Sequence, residues 1–154
     1  MPEPIFRPTF DTDEAASRDA RAAVERLVEE LQTGLDGNDA DLYNRHFASD
    51  VIWGGPFGAI VSGYGDLHAI HVRLHRERRA GKSRYVIERV LTPSPGVALA
   101  QVRRLALGDD GQPLDPGHSF SEMALYVLIE RDGDWWLVAG QNTPVRPGLS
   151  ATDR

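Results

Sequence analysis

The sequence predicts a single α+β domain in which one strongly bent, mixed or antiparallel sheet packs on three helices. Three observations predict it. A long apolar stripe at helical spacing opens the chain, and β-branched and aromatic runs bounded by turn signals fill its second half. The elements fall in the order α-α-β-β-α-β-β-β-β, with no internal repeat and no linker. A chain of 154 residues suits one core of ordinary size. The expected layout is a flexible arm over residues 1–10, the domain over 11–147 and a flexible tail over 148–154.

Asp11 followed by Glu14 has the pattern of a helix N-cap with its capping-box partner. Ala16, Ala20, Ala23, Val24, Leu27, Val28, Leu31 and Leu35 then line one side of a long first helix. Gly37, Asn38 and Asp39 break it and cap a short second helix, Ala40 to Phe47, with Leu42, Tyr43, His46 and Phe47 on one side. "DVIWGGPFGAIVSG", Asp50 to Gly63, reads as strand, tight turn and strand, in which Val51, Ile52 and Trp53 are answered by Ala59, Ile60 and Val61. A third helix runs from about Gly65 to Arg79 and stops at Gly81, where glycine takes a left-handed C-cap readily. Four strands follow, Ser83–Thr92, Gly96–Leu107, Ser119–Arg131 and Asp134–Asn142, separated by the turn signals "TPSPG", "GDDGQPLDPG" and "RDGD".

Composition narrows the function. Hydrophobic residues at 41% and charged residues at 26% are the profile of a globular protein in water. The absence of cysteine excludes disulfides, thiolate metal sites and a thiol nucleophile. A net charge of -6 argues against nucleic-acid and anionic-membrane partners, which are themselves polyanions. No apolar run approaches the ~20 residues of a membrane helix. The start, "MPEPIFRPTFDTDE", is acidic and Pro-rich, unlike a signal peptide, so the expected location is cytoplasmic. Phosphate-binding glycine loops, a nucleophile elbow and a dinucleotide fingerprint are all missing, and no cofactor is expected.

The element order, with "FASDVIWGGPFGAIVSG", "HAIHVRL" and "DWWLVAGQNTPV", resembles the SnoaL-like branch of the nuclear transport factor 2-like (cystatin-like) superfamily. Within it the chain is most similar to SgcJ/EcaC-type proteins of enediyne and other polyketide gene clusters. The likeness covers roughly Ala20 to Val145 and is most specific at the Trp-Gly-x-Pro-Phe-Gly corner and the Gln-Asn-Thr end. It implies a cone with a deep pocket between sheet and helices, and dimers paired through the outer sheet face. It also implies a choice of functions: isomerases, dehydratases, cyclases, epoxide hydrolases, or binding and assembly domains. In ketosteroid-isomerase-like relatives a carboxylate base sits just before the Pro of this turn. Gly55 stands there in this chain, and the first helix offers Leu27 and Leu31 where a tyrosine donor would be needed. That chemistry is therefore disfavoured. Gly54 and Gly55 either let the backbone approach a bound molecule, with Trp53 and Phe57 at the pocket rim, or serve the turn alone.

Strand alternation groups Gln101 with Arg103, Glu122 with Tyr126, and Trp136 with Val138, Gly140 and Asn142. A similarity to the association domain of calmodulin-dependent kinases implies that Arg103, Tyr126 and Asn142 face the pocket. A hairpin centred near Gln112 and Pro113 sets Arg103 opposite Glu122, as an acid/base or anchoring unit or as an ordinary cross-strand ion pair. His68, His71 and His75 fall within about a 60° arc of the third helix, at ~100° per residue. They border its apolar stripe and are not expected to hold metal, since a site needs three or four convergent ligands. His71 lies nearest the stripe and is the one placed to look into the cavity. His46 reads as a hydrogen-bonded core histidine and Tyr43 as a pocket hydroxyl, whereas Arg73, Arg76, Arg78, Arg79 and Lys82 read as a solvated helix back.

The expected function is acid/base cyclisation, dehydration or isomerisation of an apolar polyketide-like molecule without a cofactor. Glu122 or His71 would carry the proton and Arg103 would steady an oxygen anion, while Tyr43, Trp53, Gly55, Phe57, Gln101, Tyr126, Trp136 and Asn142 would shape the pocket. The alternative is a binding, protective or synthase-associated protein using the same pocket. A homodimer is expected through Met123, Leu125, Val127 and Ile129 beside Trp135 and Leu137, a face too apolar for water.

Overall fold

The computed structural model describes residues 1, 3–11, 13–77, 82–114 and 121–145. Its elements are α1 (Glu14–Asp36), α2 (Ala40–Tyr43), β1 (Phe47–Gly54), β2 (Ile60–Ser62), α3 (Tyr64–Arg76), β3 (Ser83–Ser94), β4 (Val97–Ala106), β5 (Glu122–Arg131) and β6 (Asp134–Pro144), in the predicted order. The expected stop at Gly81 lies outside the described residues, as do Arg78, Arg79, His118, Phe120 and the 148–154 tail.

The predicted stripe of α1 is buried from Ala20 through Leu35, but the helix starts later than the Asp11 pattern suggests. Asp13 is the N-cap and accepts from the Ala16 N–H at 2.9 Å. Asp11 accepts instead from the Thr92 N–H at 3.1 Å and ties the entry of the chain to β3. Helix α2 is a single turn and does not reach Phe47, which opens β1. Asn44 ends it: both its backbone N–H and its side-chain Nδ2 donate to the Ala40 carbonyl. A Cβ at Gly34 would stand 2.7 Å from the Tyr43 backbone nitrogen, so only glycine lets α1 and α2 meet this closely. No described helix is long and apolar enough to cross a membrane.

The six strands form one sheet in the order β2-β1-β6-β5-β4-β3. All neighbours run antiparallel except β1 and β6. Leu31 and Val24 of α1 and Leu67 of α3 meet Val51, Val102, Leu128 and Leu137 of the sheet, all essentially without solvent exposure. Helices cover one face. The other carries Ile52, Leu99, Leu125, Val127, Ile129, Trp136 and Val138.

Two register details decide which side chains reach the covered face, and both overturn expectations. In the β4–β5 hairpin Arg104 pairs with Glu122 and Arg103 with Met123. The expected Arg103–Glu122 register is off by one residue, which sends every β4 side chain to the opposite face. The connection holds a tight turn of its own, with Leu107 bridging Pro113 and the Gly108 N–H bonded to the Gln112 carbonyl, so turn residues alone misplace the hairpin centre. In β6 a bulge intervenes: Val127 pairs with Ala139 but Leu128 with Leu137, leaving Val138 extra. Trp136 therefore parts company with Gly140 and Asn142, and points to the outer face. Leu137 and Trp135, expected on that outer face, lie on the helix side, Leu137 fully buried.

Candidate functional site

Between α3, α2, the β1–β2 turn and the inner face of β4–β6 lies a cavity of about 380 Å³. That is within the range of sites for small organic ligands. Its apolar wall is built from Leu35, Trp53, Pro56, Val61, Leu67 and Ile70. Trp53 takes its place because its β6 partner is Gly140: any side chain there would collide with the indole ring. The indole stacks on Phe47 at a centroid distance of 5.7 Å and leans on Tyr126 at 6.0 Å.

The polar wall is buried. Arg104 Nη2 lies 3.4 Å from Glu122 Oε2, with both side chains nearly out of solvent. Burial works against the Arg104 charge, but Glu122, Tyr85, Tyr43 and Tyr126 outweigh it and hold the guanidinium firmly protonated. For Glu122 the balance goes the other way. Burial raises its pKa and Arg104 only partly offsets that. The carboxyl is thus the member of the pair whose proton is closest to exchange. The Tyr43 and Tyr85 hydroxyls share a 2.7 Å hydrogen bond, and burial raises the pKa of both, so they stay phenols.

His71 reaches the cavity from α3 and packs edge-on to Tyr43 and Trp53. Its Nδ1 lies 2.7 Å from Asn44 Oδ1. Burial first, then the charges of His75, His68 and Arg104, lower its pKa to about 3, so the imidazole is neutral. His75 also borders the cavity, and its Nδ1 is buried with no hydrogen-bond partner. His68 turns away to Asp41, at 2.7 Å, and stacks on Tyr64. Among the described residues no three His, Asp or Glu side chains converge as a ligand set.

Of the predicted site residues, Tyr43, Trp53, Gly55, Phe57, His71, Glu122 and Asn142 line this cavity, and Tyr126 sits directly behind Trp53. Gly54 does not: the space its side chain would fill is taken by Gln141. Arg103 and Gln101 are corrected to the outer face by the β4 register. Arg103 pairs there with Glu88 at 2.9 Å, both side chains partly exposed. Trp136 is corrected by the β6 bulge, and lines an outer groove with Ile52, Ile129 and Val138. His46 is half-buried rather than core, bonded through Nδ1 to Glu30 Oε2 at 2.6 Å. Arg104, His75 and Tyr85 are members of the site that sequence reasoning misses. For Arg104 a signal exists: Ala98, Ala100, Val102 and Ala106 share its strand face, the small side chains expected under packed helices.

No protein-family model matches the chain, and no curated protein matches it. Solved structures do. A domain of unknown function with a cystatin-like fold from Nostoc punctiforme aligns at 15% identity over 92% of this chain and 82% of that one, with a TM-score of 0.73. A ketosteroid isomerase-like protein from Erwinia carotovora atroseptica aligns at 15% identity over 82% and 96%, with a TM-score of 0.64. The protein Aln2 from a Streptomyces species aligns at 12% identity over 83% and 92%, with a TM-score of 0.67. At these identities the likeness is one of fold. The chain has the cystatin-like, nuclear transport factor 2-like fold, a curved six-stranded sheet wrapped on its helices.

Proposed function

We propose that this protein performs acid/base chemistry without a cofactor on an apolar intermediate of natural-product biosynthesis, by cyclisation, dehydration or isomerisation. One observation carries the reading: a buried carboxylate, Glu122, stands beside a buried cation, Arg104, in the wall of an otherwise apolar cavity. Isolated charges are not buried in proteins without compensation, and here each compensates the other. In the proposed step Glu122 takes a proton from carbon next to a ketone. The electron pair moves onto the ketone oxygen, where Arg104 meets the developing negative charge. The protonated Glu122 then returns the proton at a second atom, and Trp53 and Leu67 hold the ring system meanwhile. The resemblance to the SnoaL-like branch supports the substrate type.

A surrogate tests this without the natural substrate. Wild-type protein is expected to speed deuterium uptake at the acidic methylene of 2-tetralone in D2O above the buffer rate, followed by proton NMR. Glu122→Gln should return exchange to the buffer rate while ligand-dependent quenching of tryptophan fluorescence persists. Wild-type protein that binds the ketone yet leaves exchange at the buffer rate would show a binding module.

We also propose that a second copy covers the outer sheet face. Leu125 and Ile52 are 48% and 61% exposed there, beside a groove walled by Ile129, Trp136 and Val138. Sedimentation at micromolar concentration should give a dimer, and Leu125→Glu a monomer. A wild-type monomer contradicts the pairing.

A further inference from the structure

We propose that the cavity selects uncharged ligands that present a hydroxyl hydrogen, and discriminates against carboxylates and phosphates of the same shape. This rests on the reading of the cavity as a ligand site and adds the class of ligand. The first support is the charge count. Arg104 is matched by Glu122, and the other ionisable groups of the inner wall are phenols and imidazoles. An anionic ligand would bring a second negative charge beside Glu122 and shed its own water, with no second buried cation in the described wall to receive it. Arg73 borders the cavity but stands in solvent, where its charge is screened.

The second support is a locked tautomer. Asn44 is wholly buried, and its Nδ2 donates to the Ala40 carbonyl at 2.7 Å. That fixes the amide so that Oδ1, which can only accept, faces His71 Nδ1 at 2.7 Å. Nδ1 must therefore carry the hydrogen, and Nε2 keeps a lone pair. His71 lines the cavity, and with Nδ1 committed to Asn44 the nitrogen left for a ligand is Nε2, which can only accept; it asks for a donor, and a hydroxyl supplies one. Arg104 can meanwhile donate to an oxygen of the same ligand. Asn44 is a positioning residue in this scheme: it acts through His71.

Three naphthalenes of one shape test the proposal at pH 7: 2-naphthol, neutral with a hydrogen to give; 2-methoxynaphthalene, neutral without one; and 2-naphthoate, an anion. Calorimetric titration should rank 2-naphthol about ten-fold or more tighter than either of the others, as expected when a buried group is left unpaired. In Glu122→Gln the cation loses its counter-charge, so 2-naphthoate should overtake 2-naphthol. Nitrogen-15 NMR of wild-type protein, which needs no variant to fold, should show His71 with a protonated Nδ1 and a bare Nε2. Equal or tighter binding of 2-naphthoate to wild type, failure of all three to bind, or the opposite tautomer overturns the proposal. The outcomes separate from those of the exchange assay. Silent exchange with the naphthol ranking intact removes the enzyme and keeps the selectivity, whereas active exchange with naphthoate tightest does the reverse.

Discussion

Arg104→Ala should destabilise the fold by about 3–5 kcal/mol, while Arg103→Ala should cost less than about 1 kcal/mol. The two arginines are neighbours in sequence and opposites in environment. Arg104 is nearly out of solvent against Glu122, so its removal strands a buried carboxylate. Arg103 reaches Glu88 across a partly exposed face, where water takes over the role of either partner. Denaturant unfolding measures both. A domain of this size holds only about 5–15 kcal/mol in all, so the single Arg104 variant lies near its limit of folding and a second variant keeps the comparison readable. Arg104→Met combined with Glu122→Leu removes both charges and should recover most of the loss. Equal losses at the two arginines, or a double variant no better than the single, would place the buried pair elsewhere.

Acidification should unfold the protein early, and His71 is the main reason. Its pKa is near 6.5 in an unfolded chain and about 3 in the fold. Above 6.5 both states hold it neutral. As the pH falls from there toward 3, the unfolded chain binds a proton that the folded one refuses, so stability is lost across that window. A separation of that size corresponds to about 4–5 kcal/mol at most. His75, lowered by burial with Asp39 opposing, adds to the loss. Glu122 opposes it: its raised pKa lets the fold take up a proton before the unfolded chain does as pH falls. The charges that face His71 are His75, His68 and Arg104, and all three disfavour the imidazolium. Stability should therefore drop by several kcal/mol between about pH 7 and pH 4. His71→Leu should be less stable at pH 7 by about 1–3 kcal/mol, because Asn44 Oδ1 loses its donor, yet flatter with pH. A wild-type profile level across that range, or an unchanged slope in His71→Leu, contradicts a buried neutral imidazole.

What is legible in the sequence follows what its physics determines locally. The α1 stripe, the hairpin turn at residues 55–59 and the order of strands come from periodicity and turn residues, and they are found where expected. For β5 the alternation separates Glu122, Ala124, Tyr126 and Leu128 from Met123, Leu125, Val127 and Ile129 but does not choose between them, since the outward set is the more apolar; the resemblance alone points to the inward one. The β4 face is not. "VRR" puts one arginine on each face, and only the register with β5 says which is buried; that register passes through a connection with a turn inside it. Trp136 is displaced from its expected face by the bulge at Val138, a one-residue event without a glycine or proline to announce it. Tyr85 and Asn44 join the site through contacts 42 and 27 residues away along the chain, and no local pattern encodes those distances. In the sequence Asn44 is one more helix residue, although its amide decides which nitrogen of His71 holds the hydrogen.

A crystal structure of the protein with 2-naphthol bound addresses most directly whether Arg104, Glu122 and His71 converge on one ligand. The naphthalene is expected against Trp53, with its oxygen within about 3.2 Å of the Arg104 guanidinium, the Glu122 carboxyl or His71 Nε2. Naphthol seated instead in the outer groove beside Trp136, with the inner cavity left without it, would contradict the assignment.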